Sequence, residues 1–351
     1  MRYPIRVLAA AALGAAFASA AQAQDMTTYS FGGTTLYIGG GFQYLTLPDI
    51  RFTGRVQDGQ LRREKNIDFS EYGGSAGAGI ETALGYWNGM RITGGVKGFW
   101  SSLENSDRSN CRADTCFVAD PNTGFTVTGP PVLASKTHRD VDYWGGSAEL
   151  KFGHGQAVHA KPNLYRNDYF IVGADIRGID QSSRLHGVFE GDPIYTYRET
   201  LDTTYVGGYV GLGGEYSFGF IPGIKNVGGI HDRLGLRTFI NVRAGLYNAE
   251  TDYDGRYSLH TIGLNSKGSM SSDDLAFIGT VSLETRKQIG LRTSLSLWTD
   301  YEFISSVPKM RYGDFERPTR IEDDDAFATR TMLRLNVGLG SSQLYAPPPP
   351  P

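Results

Sequence analysis

Long apolar runs are what the chain most conspicuously lacks. After the N-terminal segment no stretch of about 20 apolar residues occurs, which excludes a bundle of membrane-spanning helices. Charge is scarce as well. Asp, Glu, Lys and Arg make up 20% of the residues and the formal net charge is −3, a balance that gives no reason to expect nucleic acid as a partner. Cysteine is limited to Cys111 and Cys116, without paired histidines nearby, so a metal site is not expected. A sustained helical period is missing too, which argues against a helical protein.

What is there begins with Arg2 and Arg6, then an Ala- and Leu-rich core at residues 7–17, then Ala21-Gln22-Ala23. A positive start, a short apolar core and a small-x-small triplet predict a cleaved secretion signal over residues 1–23. In an exported chain the isolated pair Cys111 and Cys116 predicts a disulfide, closing a small polar loop at the surface. Glycine reaches 46 residues, tyrosine 20 and phenylalanine 18. Curved sheets use small residues where the wall bends, and membrane interfaces collect aromatics. Residues 345–351 end in five consecutive prolines, which cannot form a strand, and predict a short extended tail.

Between these ends the dominant signal is alternation. In residues 291–303 the odd positions include Leu291, Leu295, Leu297, Tyr301 and Phe303, and the even ones Arg292, Ser294, Asp300 and Glu302. Successive side chains of a strand point to opposite faces, so this is a ribbon with one apolar and one polar side. Nine further segments repeat the pattern, at 34–47, 73–86, 90–101, 141–152, 169–179, 203–218, 234–247, 275–286 and 327–339. Asn88-Gly89 between two of them is a strong hairpin signal. Asp58-Gly59, Glu190-Gly191 and Asp254-Gly255 read as further turns, either of hairpins extending the strands or of an extra strand pair, which would raise the count to twelve. Residues 103–137, rich in Ser, Asn, Asp and Pro, read as an irregular loop that folds over or into a mouth.

With this alternation over most of the exported chain, the sequence resembles the broad class of Gram-negative outer-membrane β-barrel proteins. The resemblance rests on pattern, not on a motif. It implies an all-β chain whose residues 24–344 form a closed antiparallel transmembrane barrel of about ten strands, embedded in outer-membrane lipid. Short turns would face the periplasm, with the proline tail, and long loops the outside.

Parity assigns Glu81, Arg91, Lys97, Glu149, Lys151, Asp175, Arg177, Glu215, Arg237, Arg243, Glu284, Arg286, Arg292, Asp300, Glu302, Arg330 and Arg334 to the lumen. Leu295 and Leu335 fall on the lipid face. Such a lining selects small solutes by charge when the lumen is open, and fills a narrow barrel with ion pairs when it is not. The first expectation is therefore a small or gated pore for small solutes. The second is a structural or surface-interaction barrel whose loops contact an external macromolecule. His138 with Asp140 and Asp142, and His186 with Asp180 and Asp192, are acid–histidine neighbours of the kind used in proton transfer. No known catalytic constellation includes them, so no enzyme and no cofactor is expected. Composition leaves the number of subunits open.

Overall fold

The computed structural model describes residues 33–57, 60–63, 70–112, 115–123, 126–129, 132–154, 159–161, 164–216, 236–290, 292–313 and 319–339. They belong to one compact unit. The predicted signal segment, the proline tail and the Asp58-Gly59 turn lie outside the described residues.

The strands in chain order are β1 (Thr34–Thr46), β2 (Thr53–Gln57), β3 (Gln60–Arg63), β4 (Ser70–Trp87), β5 (Met90–Arg112), β6 (Cys116–Ala119), β7 (Thr126–Gly129), β8 (Val132–His154), β9 (His159–Lys161), β10 (Leu164–Phe189), β11 (Asp192–Tyr216), β12 (Leu236–Leu259), β13 (Leu264–Gln288), β14 (Thr293–Arg311) and β15 (Arg320–Leu339). Ten of them, β1, β4, β5, β8 and β10 to β15, pair antiparallel in a ring. β15 returns to β1, with Thr34 opposite Leu339 and Leu45 opposite Ala328, so the ring closes. Closure removes every sheet edge where the strands are all paired, which lets a sheet sit in lipid without unsatisfied backbone groups. The remaining short strands form a separate sheet in the order β3-β2-β6-β7, while β9 adds to β10.

Alternation sets the faces. Ile38, Val96, Leu212, Leu246, Leu297, Tyr301 and Leu333 are exposed on the outside of the ring, whereas Ser75, Tyr209, Asn241, Asp300, Arg330 and Arg334 are buried within it. Leu295 and Leu335 point out and Arg334 in. Aromatics gather at one rim of the apolar band. Tyr44 and Tyr72 lie 4.9 Å apart, and Phe303 lies 5.2 Å from Phe327 and 6.5 Å from Phe277.

At one end Asn88 and Gly89 take positive φ values of 52° and 78°. That is the requirement of a two-residue turn whose twist matches its strands. At the other end Glu190 and Gly191 do the same, at 51° and 96°. The expected turn at Asp254-Gly255 is not a turn. β12 runs on to Leu259, pairing Gly255 with Gly268, and reverses over residues 260–263, where Gly263 has φ 68°. The hydroxyl of Tyr253 fills the space a Gly255 Cβ would need, so this glycine serves close approach.

The segment 103–137 is also more regular than its composition suggests. β5 continues to Arg112 and β8 begins at Val132, pairing across the whole interval from Leu103–Val141 to Arg112–Val132. β6 and β7 between them join β2 in the small sheet. Phe52 anchors the packing there, stacked on Tyr197 at 4.8 Å and edge-on to Tyr312 at 5.4 Å. Cys111 and Cys116 are disulfide-bonded, tying the end of β5 to β6. The bond is not on a surface loop. Both cysteines are at most 2% exposed, packed in a cluster with Phe52, Leu133 and Leu185.

Candidate functional site: a filled lumen and a charge-sorted outer wall

From the turn end upward the lumen is filled in three layers. The lowest is ionic. Glu149 of β8 meets Lys97 of β5 at 3.1 Å, Arg243 of β12 at 3.2 Å and Lys151 at 3.5 Å, and accepts a hydrogen bond from Tyr209 at 2.9 Å. Lys151 also contacts Glu81. Arg177 bridges Asp175 at 2.8 Å and Glu302 at 3.0 Å, and Arg330 bridges Asp300 at 3.0 Å and Glu302 at 3.6 Å. Glu215 pairs with Arg237 at 2.7 Å and Glu284 with Arg286 at 2.9 Å. Arg334 stacks on Trp298 at 3.5 Å and Arg330 over Phe99 at 3.4 Å. The cavity left among these groups, lined by Tyr37, Lys97, Arg243 and Arg334, measures about 30 Å³, room for about one water molecule.

Of the expected lining, Arg292 lies at the turn end, immediately before β14, and its carbonyl accepts from the Gly338 N–H of β15 at 2.8 Å. That bond continues the β14–β15 register by one residue beyond Thr293 and Val337, so Arg292 keeps the parity of Ser294, with intermediate exposure. Arg91 lies close to the Asn88-Gly89 turn, with intermediate exposure.

The second layer is apolar. Leu45 of β1, Leu103 of β5, Val141 of β8, Ile179 of β10, Tyr205 of β11, Tyr247 of β12, Ile278 of β13, Ile304 of β14 and Ala328 of β15 form one buried cluster. None is more than 2% exposed. These are inward positions of nine strands, so the plug is made by the wall itself. Sequence reasoning placed Tyr205 inward and passed over the others by following charge. Their signal was parity: Ile179 shares a face with Asp175 and Arg177, and Leu103 with Lys97.

The third layer is the aromatic cluster around Phe52. Glu199 is buried in it, accepting hydrogen bonds from Tyr197 at 2.7 Å and Tyr312 at 2.9 Å. Burial pushes its carboxyl above the usual carboxylate range, against those hydrogen bonds and the nearby Arg139. Arg139 pairs with Glu71 at 3.0 Å and donates to the Pro48 carbonyl at 3.1 Å, fixing the segment that carries Phe52.

Outside, above the apolar band, charge is sorted into two rows. Glu104 stands opposite Asp140, Asp142 opposite Asp180, Asp180 opposite Asp202, and Asp202 opposite Asp252. Farther out, Arg108 stands opposite Lys136, Arg184 opposite Arg198, Arg198 opposite Arg256, and Arg256 opposite Lys267. Like charges on neighbouring strands repel by about 1 kcal/mol per pair in water before salt screening. His186 sits at the basic row, opposite Lys136, not with Asp180 or Asp192. Partial burial, then Arg198, Lys136 and Arg184, lower its pKa.

His138 does meet an acid. Its Nε2 lies 3.0 Å from Asp140, its Nδ1 2.5 Å from the Ser106 hydroxyl, and Glu104 completes a group whose donor atoms fall within 4.8 Å of one another. A cleft of about 770 Å³ opens beside the end of β1, lined by Leu47, Asp49, Met310, Arg311, Glu322 and Phe327 among others. Most of its charges are paired, Arg51 with Asp49 at 3.5 Å, Arg311 with Glu322 at 3.0 Å and Lys309 with Asp324.

No family model and no curated protein matches the chain. Among solved structures it is similar to the outer membrane protease OmpT from Escherichia coli, at 9% identity and TM-score 0.47, covering 90% of this chain and 99% of that one. It is also similar to the TodX deltaS2S3 mutant monoaromatic hydrocarbon channel, at 9% identity and TM-score 0.30, covering 88% and 91%. A Pseudomonas aeruginosa FadL homologue follows at 8% identity and TM-score 0.22, with the same coverage. These structural neighbours are Gram-negative outer-membrane β-barrels.

Proposed function

We propose that the chain is an integral outer-membrane barrel with a closed lumen, serving as an anchor for an external lobe and wall that contact molecules outside the cell. The carrying observation is the apolar layer from Leu45 to Ala328, buried on nine strands above the ion pairs. A pore needs a continuous wet path, and a barrel of eight to ten strands has an interior that side chains can fill. Of the two expectations drawn from the sequence, this favours the second. Placement in lipid is supported by the outward band of Ile38, Val96, Leu212, Leu246 and Leu333, an apolar surface too extensive to face water. The exposed acid–histidine group of Glu104, His138 and Asp140 lies on the outer wall and adds nothing to a path through the barrel.

Swelling of proteoliposomes in small sugars and amino acids tests the reading. Vesicles carrying the folded protein are expected to swell no faster than empty ones, and swelling at the rate given by an open porin would overturn it.

A further inference from the structure

On five neighbouring strands of the outer wall an acid and a base stand four residues apart on one face. The pairs are Glu104 and Arg108, Lys136 and Asp140, Asp180 and Arg184, Arg198 and Asp202, and Asp252 and Arg256. The order of acid and base reverses from each strand to the next. Antiparallel neighbours run in opposite directions, so the reversal keeps every acid toward the apolar band and every base away from it. Unordered surface charge would not follow strand direction five times in succession.

The result is a row of cations, Arg184, Arg198, Arg256 and Lys267, each directly opposite the next. All four are exposed. Adjacent strands lie about 4.8 Å apart, so the row presents one positive charge per strand at nearly constant spacing. Asp254 reaches Arg256 at 3.7 Å, but no carboxylate stands across the ladder from any member. The row lies about 20 Å beyond the apolar edge at Ile176, for eight residues of a strand at the usual barrel tilt. The acidic row stands between it and the lipid.

We propose that this row is a binding surface for an extended anionic polysaccharide in the external medium, one bearing a carboxylate on each sugar or nearly so. The proposal rests on the reading of the barrel as an anchor for outside contacts, and names the partner of its wall. Regular cation spacing along one line suits a linear polyanion and not a compact anion. The intervening acids repel anionic lipid headgroups, which directs the site toward a ligand from outside. Around the row the outward residues include Ser182, Thr196, Thr200, Ser258 and Ser269, hydroxyls suited to sugar, together with Asn265 and the carboxylate Asp254. Aromatics of these strands at this height, such as Tyr197 and Tyr257, are buried within the lobe. A stacking platform for nucleic acid bases is therefore not offered.

The test uses the full folded barrel in nanodiscs of zwitterionic lipid, with polygalacturonate as probe, neutral dextran as control, and calorimetry across a salt series. Wild type is expected to bind polygalacturonate and not dextran, weakening as salt rises. Arg198→Gln with Arg256→Gln should weaken binding tenfold or more and lower the slope of log affinity against log salt by about one per cation removed. Arg311→Gln with Arg320→Gln, outside the row, should leave it unchanged. Retained heat-modifiable mobility shows that each variant folds. Absence of binding at low salt, equal binding by the row variant, or tighter binding of a single-stranded oligonucleotide would each overturn the proposal. So would loss of binding when the nanodisc contains anionic lipid, since that would place the lipid on the row. Solute flux through the barrel is measured separately, so failure of the closed-lumen reading is distinguishable from failure here.

Discussion

Glu149 faces Lys97, Lys151 and Arg243 at once, so its removal leaves three cations facing one another in a buried layer. Glu149→Ala is expected to lower stability by about 3–5 kcal/mol, read from urea unfolding in bilayers, because breaking a buried pair costs more than the pair contributes. The faces can be tested in the same assay. Leu335→Arg, in the lipid band, should cost about 2–4 kcal/mol, while Arg334→Leu, losing its stack on Trp298 but no lipid contact, should cost less. Refolding yields in the opposite order would mean the register is inverted. Glu199 carries a pH dependence. Its folded pKa is raised by burial, so its protonated form is the one the fold favours, and that contribution is complete below the ordinary carboxylate pKa and lost as pH rises through the folded value. Glu199→Gln should therefore match wild type in acid and become the more stable of the two at neutral pH. Chemical denaturation at several pH values decides it, and a constant difference would rule the account out.

The Cys111–Cys116 bond ties the end of β5 to β6 and adds to the Phe52 packing and the Arg139–Pro48 hydrogen bond that seat the external lobe on the ring. A closure over a sequence separation of 5 contributes about 2 kcal/mol, and its burial concentrates the effect in the lobe. Replacing both cysteines with serine should make the lobe susceptible to limited proteolysis while the ring keeps its heat-modifiable mobility. Loss of the whole barrel would contradict that division. At this scale the sequence was most legible within the apolar band, where one face is apolar on the outside of the ring and the other packs the interior. Leu295, Leu297, Tyr301 and Phe303 declared β14 for that reason. Above the band the outward face is polar, and between Leu103 and Cys111 the inward parity also carries Asn105, Asp107 and Ser109, so residues 103–112 looked like loop although they form strand. Gly255 interrupts the inward tyrosines of β12, so Asp254-Gly255 looked like a turn. There the ladder partners decide, and no local pattern records them. The lumen was half legible. Charged side chains announced themselves by parity, but Leu45, Ile179 and Ile304 had to be read as apolar residues on the polar face. The two rows on the wall were visible as acid and base at a separation of four, yet only the register shows them aligned.

For the molecule as a whole, ten short-spaced strands surround an interior too narrow to stay empty, and ion pairs, an apolar layer and an aromatic lobe fill it in turn. On the proposed reading a closed lumen makes the barrel an anchor and not a conduit, and this carries an electrical prediction. Planar-bilayer recording should compare the wild type with a variant in which Leu45, Ile179 and Ile304 are all glycine and Glu149 and Arg243 are alanine. If that variant inserts, it should show discrete, ohmic openings while the wild type gives no steady conductance above the bare membrane. A stable current through the wild-type protein, undiminished by voltage and of the same size as the variant's, would contradict the account.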